Sequence, residues 1–222
     1  MKTLDITFDL ETTALCPTAA VLAIGAVVWD RDGKSTPFFP DEVVADFPTT
    51  FNQLTDLNRQ FIDGFTFDQS TAEWWSRQSD KAKGALLEPS CDYLDIECAV
   101  HDFIDWIKEA KQHYQADEVC LWCQGSDFDI AILRNICEKY GLVLPVKHTN
   151  FRDHRTYFLE GARIICDIAH TDYDPKKAYT LVEPYEGEGC AHEPLYDCKR
   201  SIFSTWQMMN HLRCLTKKEN CN

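Results

Sequence analysis

Thr3-Leu-Asp-Ile-Thr-Phe-Asp-Leu10, running into Glu11-Thr12-Thr13, and Val21-Leu-Ala-Ile-Gly-Ala-Val-Val-Trp29 are the stretches on which the fold turns. The first alternates and ends in acids, which reads as a β-strand with a polar tip. The second is an almost continuous apolar run, as expected of a central strand covered on both faces. Asp30-Arg31-Asp32-Gly33 follows as a hairpin turn, so a third strand is expected to return near Ser35–Phe39. Asp41 to Asp68 shows little periodicity.

Helical signals dominate further along. Ser70 or Thr71 is expected to cap a helix through Gln78, and Ser79 or Asp80 to start another through Glu88. Leu94–Tyr114 carries Val100, Phe103, Ile104 and Ile107 on one helical face. Asp117–Cys123 reads as a strand, followed after Gln124-Gly125-Ser126 by a helix from about Asp127 to Tyr140 that Gly141 closes. A helix around Phe151–Leu159, a strand-like run at Arg163–Cys166, a Pro-, Gly- and acid-rich loop at Thr171–Gly189 and a last helix at Glu193–Leu212 complete the pattern. It predicts an α/β fold, a mixed sheet of three antiparallel and then parallel strands with helices on both faces. With no internal repeat or linker, residues 1–222 are expected to form a single domain.

Lys and Arg number 22 against 36 Asp and Glu, a net charge of −14, which argues against long non-specific tracking on duplex DNA. It does not argue against gripping a short strand end through divalent cations, which need carboxylates to hold them. No apolar run approaches the roughly 20 residues of a membrane helix, and the acids Asp5, Asp9 and Glu11 interrupt any signal-peptide core. The expected location is the cytoplasm, the host's if the chain is phage-encoded. The 11 cysteines read as reduced thiols; one pair, Cys120-Leu-Trp-Cys123, forms a C-x-x-C without the second ligand pair that zinc requires.

Three acidic sites stand out. Asp9 and Glu11 lie two apart on a strand, so both point to one face, where like charges repel unless a cation lies between them. Thr12 adds backbone and hydroxyl groups at the same mouth. Asp127 and Asp129 fall in the first turn of a helix, where capping and the helix dipole alone account for an acid. His192-Glu-Pro-Leu-Tyr-Asp197 runs from a Gly-containing loop into the last helix, so its histidine is expected to be mobile and its aspartate to face the strand carboxylates.

Together, and in this order, D-x-E at the end of the first strand, F-D after a strand–Gly turn and H-x-x-x-x-D before a terminal helix resemble the DEDDh 3'-5' exonuclease superfamily. Thr71-Ala-Glu-Trp74-Trp75-Ser-Arg-Gln78 and Arg152-Asp-His-Arg155-Thr156 are similar to the T-x-x-W-W-x-x-Q and R-x-x-R-T segments of its phage and bacterial branch. The resemblance implies an RNase H-like fold and removal of nucleotides from 3' ends with two divalent ions, Mg²⁺ or Mn²⁺. It implies that Asp9 bridges both metals, that Glu11 and Asp197 hold the one activating the water, that Asp129 supports the second, and that His192 takes the proton. The F-D pattern selects Asp129 over Asp127, which reads as a helix cap. Pro194 stands where that family often has a small residue.

The chemistry is consistent with these residue types. A phosphodiester repels hydroxide and has a poor alkoxide leaving group, and two cations address both ends of an in-line displacement. Hard oxygen ligands suit Mg²⁺ or Mn²⁺. For substrate contact the candidates are Thr12, Trp74, Trp75, Gln78, Arg134 and Arg155. Trp74 or Trp75 is placed to stack on a terminal base, with a core role for at least one as the competing reading. The expected activity is 3'-5' hydrolysis at a single-stranded nucleic-acid 3' end, DNA ahead of RNA, releasing nucleoside 5'-monophosphates. The alternative is a non-catalytic nucleic-acid or protein-binding module on the same fold. Nothing in the residues determines an oligomeric state.

Overall fold

The computed structural model describes residues 1–39, 47–87 and 93–219. Its sheet has the order β3-β2-β1-β4-β5, from β1 (Thr3–Thr12), β2 (Val21–Trp29), β3 (Thr50–Leu54), β4 (Glu118–Cys123) and β5 (Phe151–Asp153). β1 to β3 pair antiparallel, whereas β4 and β5 run parallel to β1, which is the expected mixed α/β sheet. Among the described residues, seven α-helices accompany it: α1 (Leu57–Ile62), α2 (Gln69–Ser76), α3 (Asp80–Leu87), α4 (Ile96–His113), α5 (Ala131–Tyr140), α6 (His154–Ala169) and α7 (Pro194–Glu219). α4 and α5 cover one sheet face through Phe103, Ile107, Leu133 and Ile136. α7 covers the other through Cys198, Ile202, Trp206 and Met209.

The alternation of β1 sorts its residues between these faces. Leu4, Ile6, Phe8 and Leu10 join the α4 side. Asp5, Thr7, Asp9 and Glu11 therefore form a polar line under α6 and α7. Asp5 accepts from Arg31 Nε at 2.6 Å and from Trp122 Nε1 at 2.7 Å. Thr7 Oγ1 lies 2.9 Å from His154 Nε2, whose Nδ1 lies 2.7 Å from Thr205 Oγ1. Among the described residues, no hydrogen bond reaches the carboxylates of Asp9 or Glu11. The line is satisfied by the protein up to Thr7 and then stops being so.

Burial pushes the His154 pKa down to about 3. The unfolded chain takes up this proton near pH 6.5, so across that window the unfolded state binds more protons and stability falls as pH drops. The stability advantage of wild type over His154→Gln is expected to shrink by about 1.4 kcal/mol per pH unit between pH 6 and 4. Urea unfolding of both proteins at each pH measures this. Taking the difference cancels the acidic site, whose raised pKa values act with the opposite sign. A difference that does not change with pH would reject neutral burial.

Four local expectations are corrected. The third strand is Thr50–Leu54, not Ser35–Phe39, which contributes only a single bridge between Phe38 and Trp29. Pro37 has no N–H to extend a ladder, and only its carbonyl is used, by Asp30 N–H at 2.8 Å. The run Arg163–Cys166 is helical and lies inside α6, where Ile164 and Ile168 are exposed and Gly161 and Ala162 pack inward. α6 begins at His154 rather than Phe151, because Asp153 caps it through Thr156 N–H at 2.7 Å. The helix expected through Gln78 ends at Ser76. Of the next one, Glu88 lies outside the described residues.

Candidate active site

Asp9 and Glu11 lie near the end of β1, opposite Gly25 and Ala23 of β2, just before the ladder slips between Glu11 and Thr12. Gly25 is why a helix can sit there. A Cβ on it would stand 2.4 Å from Pro194 Cβ, so the first turn of α7 rests directly on the strand. Pro194 is the first residue of that helix, where a missing N–H costs nothing. The Cys198 thiol one turn on points at the carbonyls of Thr7 and Gly25, both at 3.6 Å. This seating brings Asp197 over the β1 carboxylates.

Asp129 arrives from the other side. Gly125, at φ +130°, turns the chain out of β4 into a π-helical turn, Ser126–Ile130. Asp129 is buried on this turn and accepts from Leu10 N–H at 3.3 Å, locking it to β1. Asp127 is exposed and caps nothing; the free Ser126 N–H is taken by Asp153 at 2.6 Å. The expectation of an Asp127 cap is thereby corrected, since Asp153 reaches the turn from the adjoining strand.

His192 has φ +71°, and its backbone N–H donates to Asp197 Oδ2 at 3.0 Å. Its ring is seated edge-on between Trp74 and Trp75, with centroids 4.7 and 5.9 Å away. One ligand atom each from Glu11, His192 and Asp197 lie within 4.8 Å of one another. The imidazole thus stands beside Glu11 and Asp197, at the carboxylate cluster.

Crowding perturbs the acids. The Asp9 pKa is raised well above the carboxylate range, first by burial and then by Glu11, Asp129 and Asp197. Burial, followed by Asp197 and Asp129, pushes Glu11 up to about 8. Burial raises Asp129 to about 7 against the pull of backbone N–H groups. Asp197 Oδ1 is buried without a hydrogen bond, although the Arg200 guanidinium stands 3.0 Å away outside hydrogen-bonding geometry. Converging hard-oxygen donors, mutual repulsion and an unsatisfied buried oxygen together fit a divalent cation.

Arg200 is the member that the sequence reading missed. It sits one turn after Asp197 on α7 and is the cation opposing the charge of Asp9 and Glu11. Its i+3 spacing from Asp197 was the available signal.

The expected substrate residues separate. Glu11, Thr12, Trp74, Trp75 and Phe128 line a cleft of about 430 Å³ beside the carboxylates. Trp75 is buried and donates to Thr12 O at 2.9 Å, whereas Trp74 is 41% exposed, so the core role falls to Trp75. Gln78 folds back on Trp74 O at 3.0 Å. Arg155 is exposed and donates to Gln124 O at 3.2 Å, near enough to Asp129 to lower its pKa. Arg134 lies over the Phe151 ring at 4.6 Å and lines neither that cleft nor the larger cavity next to Arg155. Cys120 and Cys123 pack on opposite faces of the sheet, and burial raises both thiol pKa values, which disqualifies them as a redox pair.

Comparison with known proteins agrees with this arrangement. The chain is 25% identical over 212 residues to an exodeoxyribonuclease of Enterobacteria phage T4, covering 89% of this chain and 86% of the relative. Its fold is that of the nuclease domain of 3'hExo, a DEDDh family member solved with rAMP, at 14% identity and a TM-score of 0.55 over 95% and 93% of the two chains. Cell-death related nuclease 4 shares it at 13% identity and a TM-score of 0.60, with 94% of this chain covering 64% of that one. The sheet is therefore RNase H-like. Residues 5–205 match the 3'-5' exoribonuclease Rv2179c-like domain. This chain belongs to that family within the DEDDh 3'-5' exonuclease superfamily and is a nuclease, and that membership implies dependence on divalent metal.

Proposed function

We propose that residues 1–222 act as one exonuclease domain that hydrolyses the terminal phosphodiester at the 3' end of single-stranded nucleic acid, releasing nucleoside 5'-monophosphates. The observation that carries this reading is the convergence of Asp9, Glu11, Asp129 and Asp197 beside a seated histidine, at the mouth of a cleft sized for one nucleoside. Asp9, Glu11, Asp129 and Asp197 would hold two Mg²⁺ or Mn²⁺ ions. Bound there, such ions lower the pKa of an attacking water and offset charge on the departing 3' oxygen.

The remaining work falls to the chain. A ring nitrogen of His192 accepts the proton of the attacking water as its oxygen bonds to phosphorus and the P–O3' bond breaks. The Asp197–His192 backbone bond and the two tryptophan rings hold the imidazole at that point. Trp74, the more exposed ring, offers its surface to the terminal base, and Thr12 and Phe128 close the cleft around the sugar. Among the described residues no helix is long and apolar enough to cross a membrane. We place the enzyme in the cytoplasm, the host's for a phage-encoded chain.

Time courses on matched 3'-labelled and 5'-labelled DNA and RNA oligonucleotides test this. The 3' label is expected to appear at once as a mononucleotide, while the 5' label gives a descending ladder. Early mononucleotide from the 5' label, or cutting of a circular strand, would overturn the polarity. The DNA and RNA arms decide between the strand chemistries named by the phage relative and by the family.

Cation dependence gives a second readout independent of turnover. Binding offsets the burial and mutual repulsion that raise the acid pKa values, so Ca²⁺ is expected to stabilise the fold while supporting little hydrolysis. At a hundred times its dissociation constant the gain is about 2.7 kcal/mol. It is read as a shift in the unfolding transition that the Asp9→Asn variant lacks. Mg²⁺ or Mn²⁺ should restore activity abolished by chelator; undiminished hydrolysis in excess chelator would end the two-ion mechanism.

A further inference from the structure

A second and larger cavity, about 680 Å³, adjoins the carboxylates through Arg155 and Arg200 and is within the size range of small-molecule sites. It lies between α6, α7 and the 3-10 turn Ala178–Leu181. Two aromatic walls enclose it. Phe158 and Tyr179 are stacked at 4.3 Å and 7°, with Tyr179 44% exposed, and Tyr185 packs on Tyr196 at 5.6 Å. Two cations, Arg155 and Arg200, also line it, as does Glu183.

We propose that this cavity is the subsite for the penultimate nucleotide, the one on the 5' side of the scissile phosphate, and this rests on the exonuclease reading above. Continuity argues for it. Arg200 lines the cavity and stands 3.0 Å from Asp197, while Arg155 lines it and acts on the charge of Asp129. The 430 Å³ cleft abuts the same acids through Glu11 and Phe128. A strand whose terminal nucleoside fills that cleft, with its phosphate at the carboxylates, has the larger cavity next along its path. Chemistry argues for it as well. On a chain of net charge −14, two guanidinium groups beside exposed aromatic surface match one unit of a nucleic-acid strand, an anionic backbone bearing a π face. The proposal makes Tyr179 the stacking residue and Arg155 a contact for the phosphate 5' of that nucleotide.

Two variants test it, Tyr179→Ala, which removes the exposed ring, and Ser204→Trp, which fills the cavity without removing a contact. Each is compared with wild type on a single-stranded tetranucleotide, and for inhibition by a nucleoside 5'-monophosphate, which fills the terminal cleft alone. The expected result is a KM raised about five- to a hundredfold for the tetranucleotide, the worth of one stacked base. The inhibition constant of the mononucleotide stays at its wild-type value for Tyr179→Ala, and loss of the stack on Phe158 lowers the thermal unfolding midpoint by only a few degrees. Wild-type KM in both variants overturns the assignment, as does an equal rise of KM and inhibition constant. A wild-type protein that degrades no oligonucleotide overturns the exonuclease reading itself, and this subsite with it.

Discussion

Replacing His192 with alanine is expected to lower kcat by about 10²- to 10⁴-fold, the usual contribution of a positioned general base. The ring lies within 4.8 Å of the Glu11 and Asp197 oxygens and is braced by Trp74 and Trp75. Its position also suits a ligand, and cation affinity separates the roles. A base leaves the Mg²⁺ or Mn²⁺ dependence of the residual rate at wild-type concentrations, whereas a ligand shifts it upward. Near wild-type turnover in the variant would remove His192 from the mechanism.

On the proposed two-ion reading, Asp129→Asn is expected to cost more than the about 10- to 100-fold that follows loss of a metal's outer partner, because it would remove a ligand itself. The amide can still accept from Leu10 N–H, so the join between the π-turn and β1 persists. Neutralising a buried, repelled carboxylate should leave the metal-free protein no less stable than wild type, an outcome read by thermal unfolding in chelator. Asp127→Asn should change neither property by more than a small margin, since that side chain is exposed and caps no helix. Should activity depend on Asp127 and tolerate Asp129→Asn, the alignment of this segment would be wrong by two residues.

Much of the scaffold was legible because the period of burial is written in residue order. The β2 run Val21–Trp29 is buried along its whole length, and Leu94–Tyr114 predicted the long helix α4 within a residue or two. Gly141 closes α5 at φ +66°, as a left-handed C-terminal glycine should. Weak signals misled where the chain meets the core only in part. β3 is an edge strand, half-buried with no clear alternation. The isoleucines of Arg163–Cys166 read as strand formers, yet packing of Gly161 against Met208 of α7 holds that run helical.

The sequence by itself singled out the candidates for the proposed chemistry, Asp9 and Glu11 by their spacing on one strand face, and Asp129, His192 and Asp197 by resemblance to the exonuclease motifs. It also determined that two carboxylates share a face, since strand geometry permits nothing else. Only the tertiary structure decided how four acids from β1, the π-turn and α7 meet. That depends on a missing Cβ at Gly25 under Pro194, which nothing near Asp197 in the sequence announces. It likewise decided that Trp75 is core while Trp74 stays open, that Arg200 faces the acids, and that Arg155 rather than Arg134 stands beside them. Side chains one helical turn or one strand apart obey periodicity, but contacts between elements distant in the chain depend on how their surfaces pack.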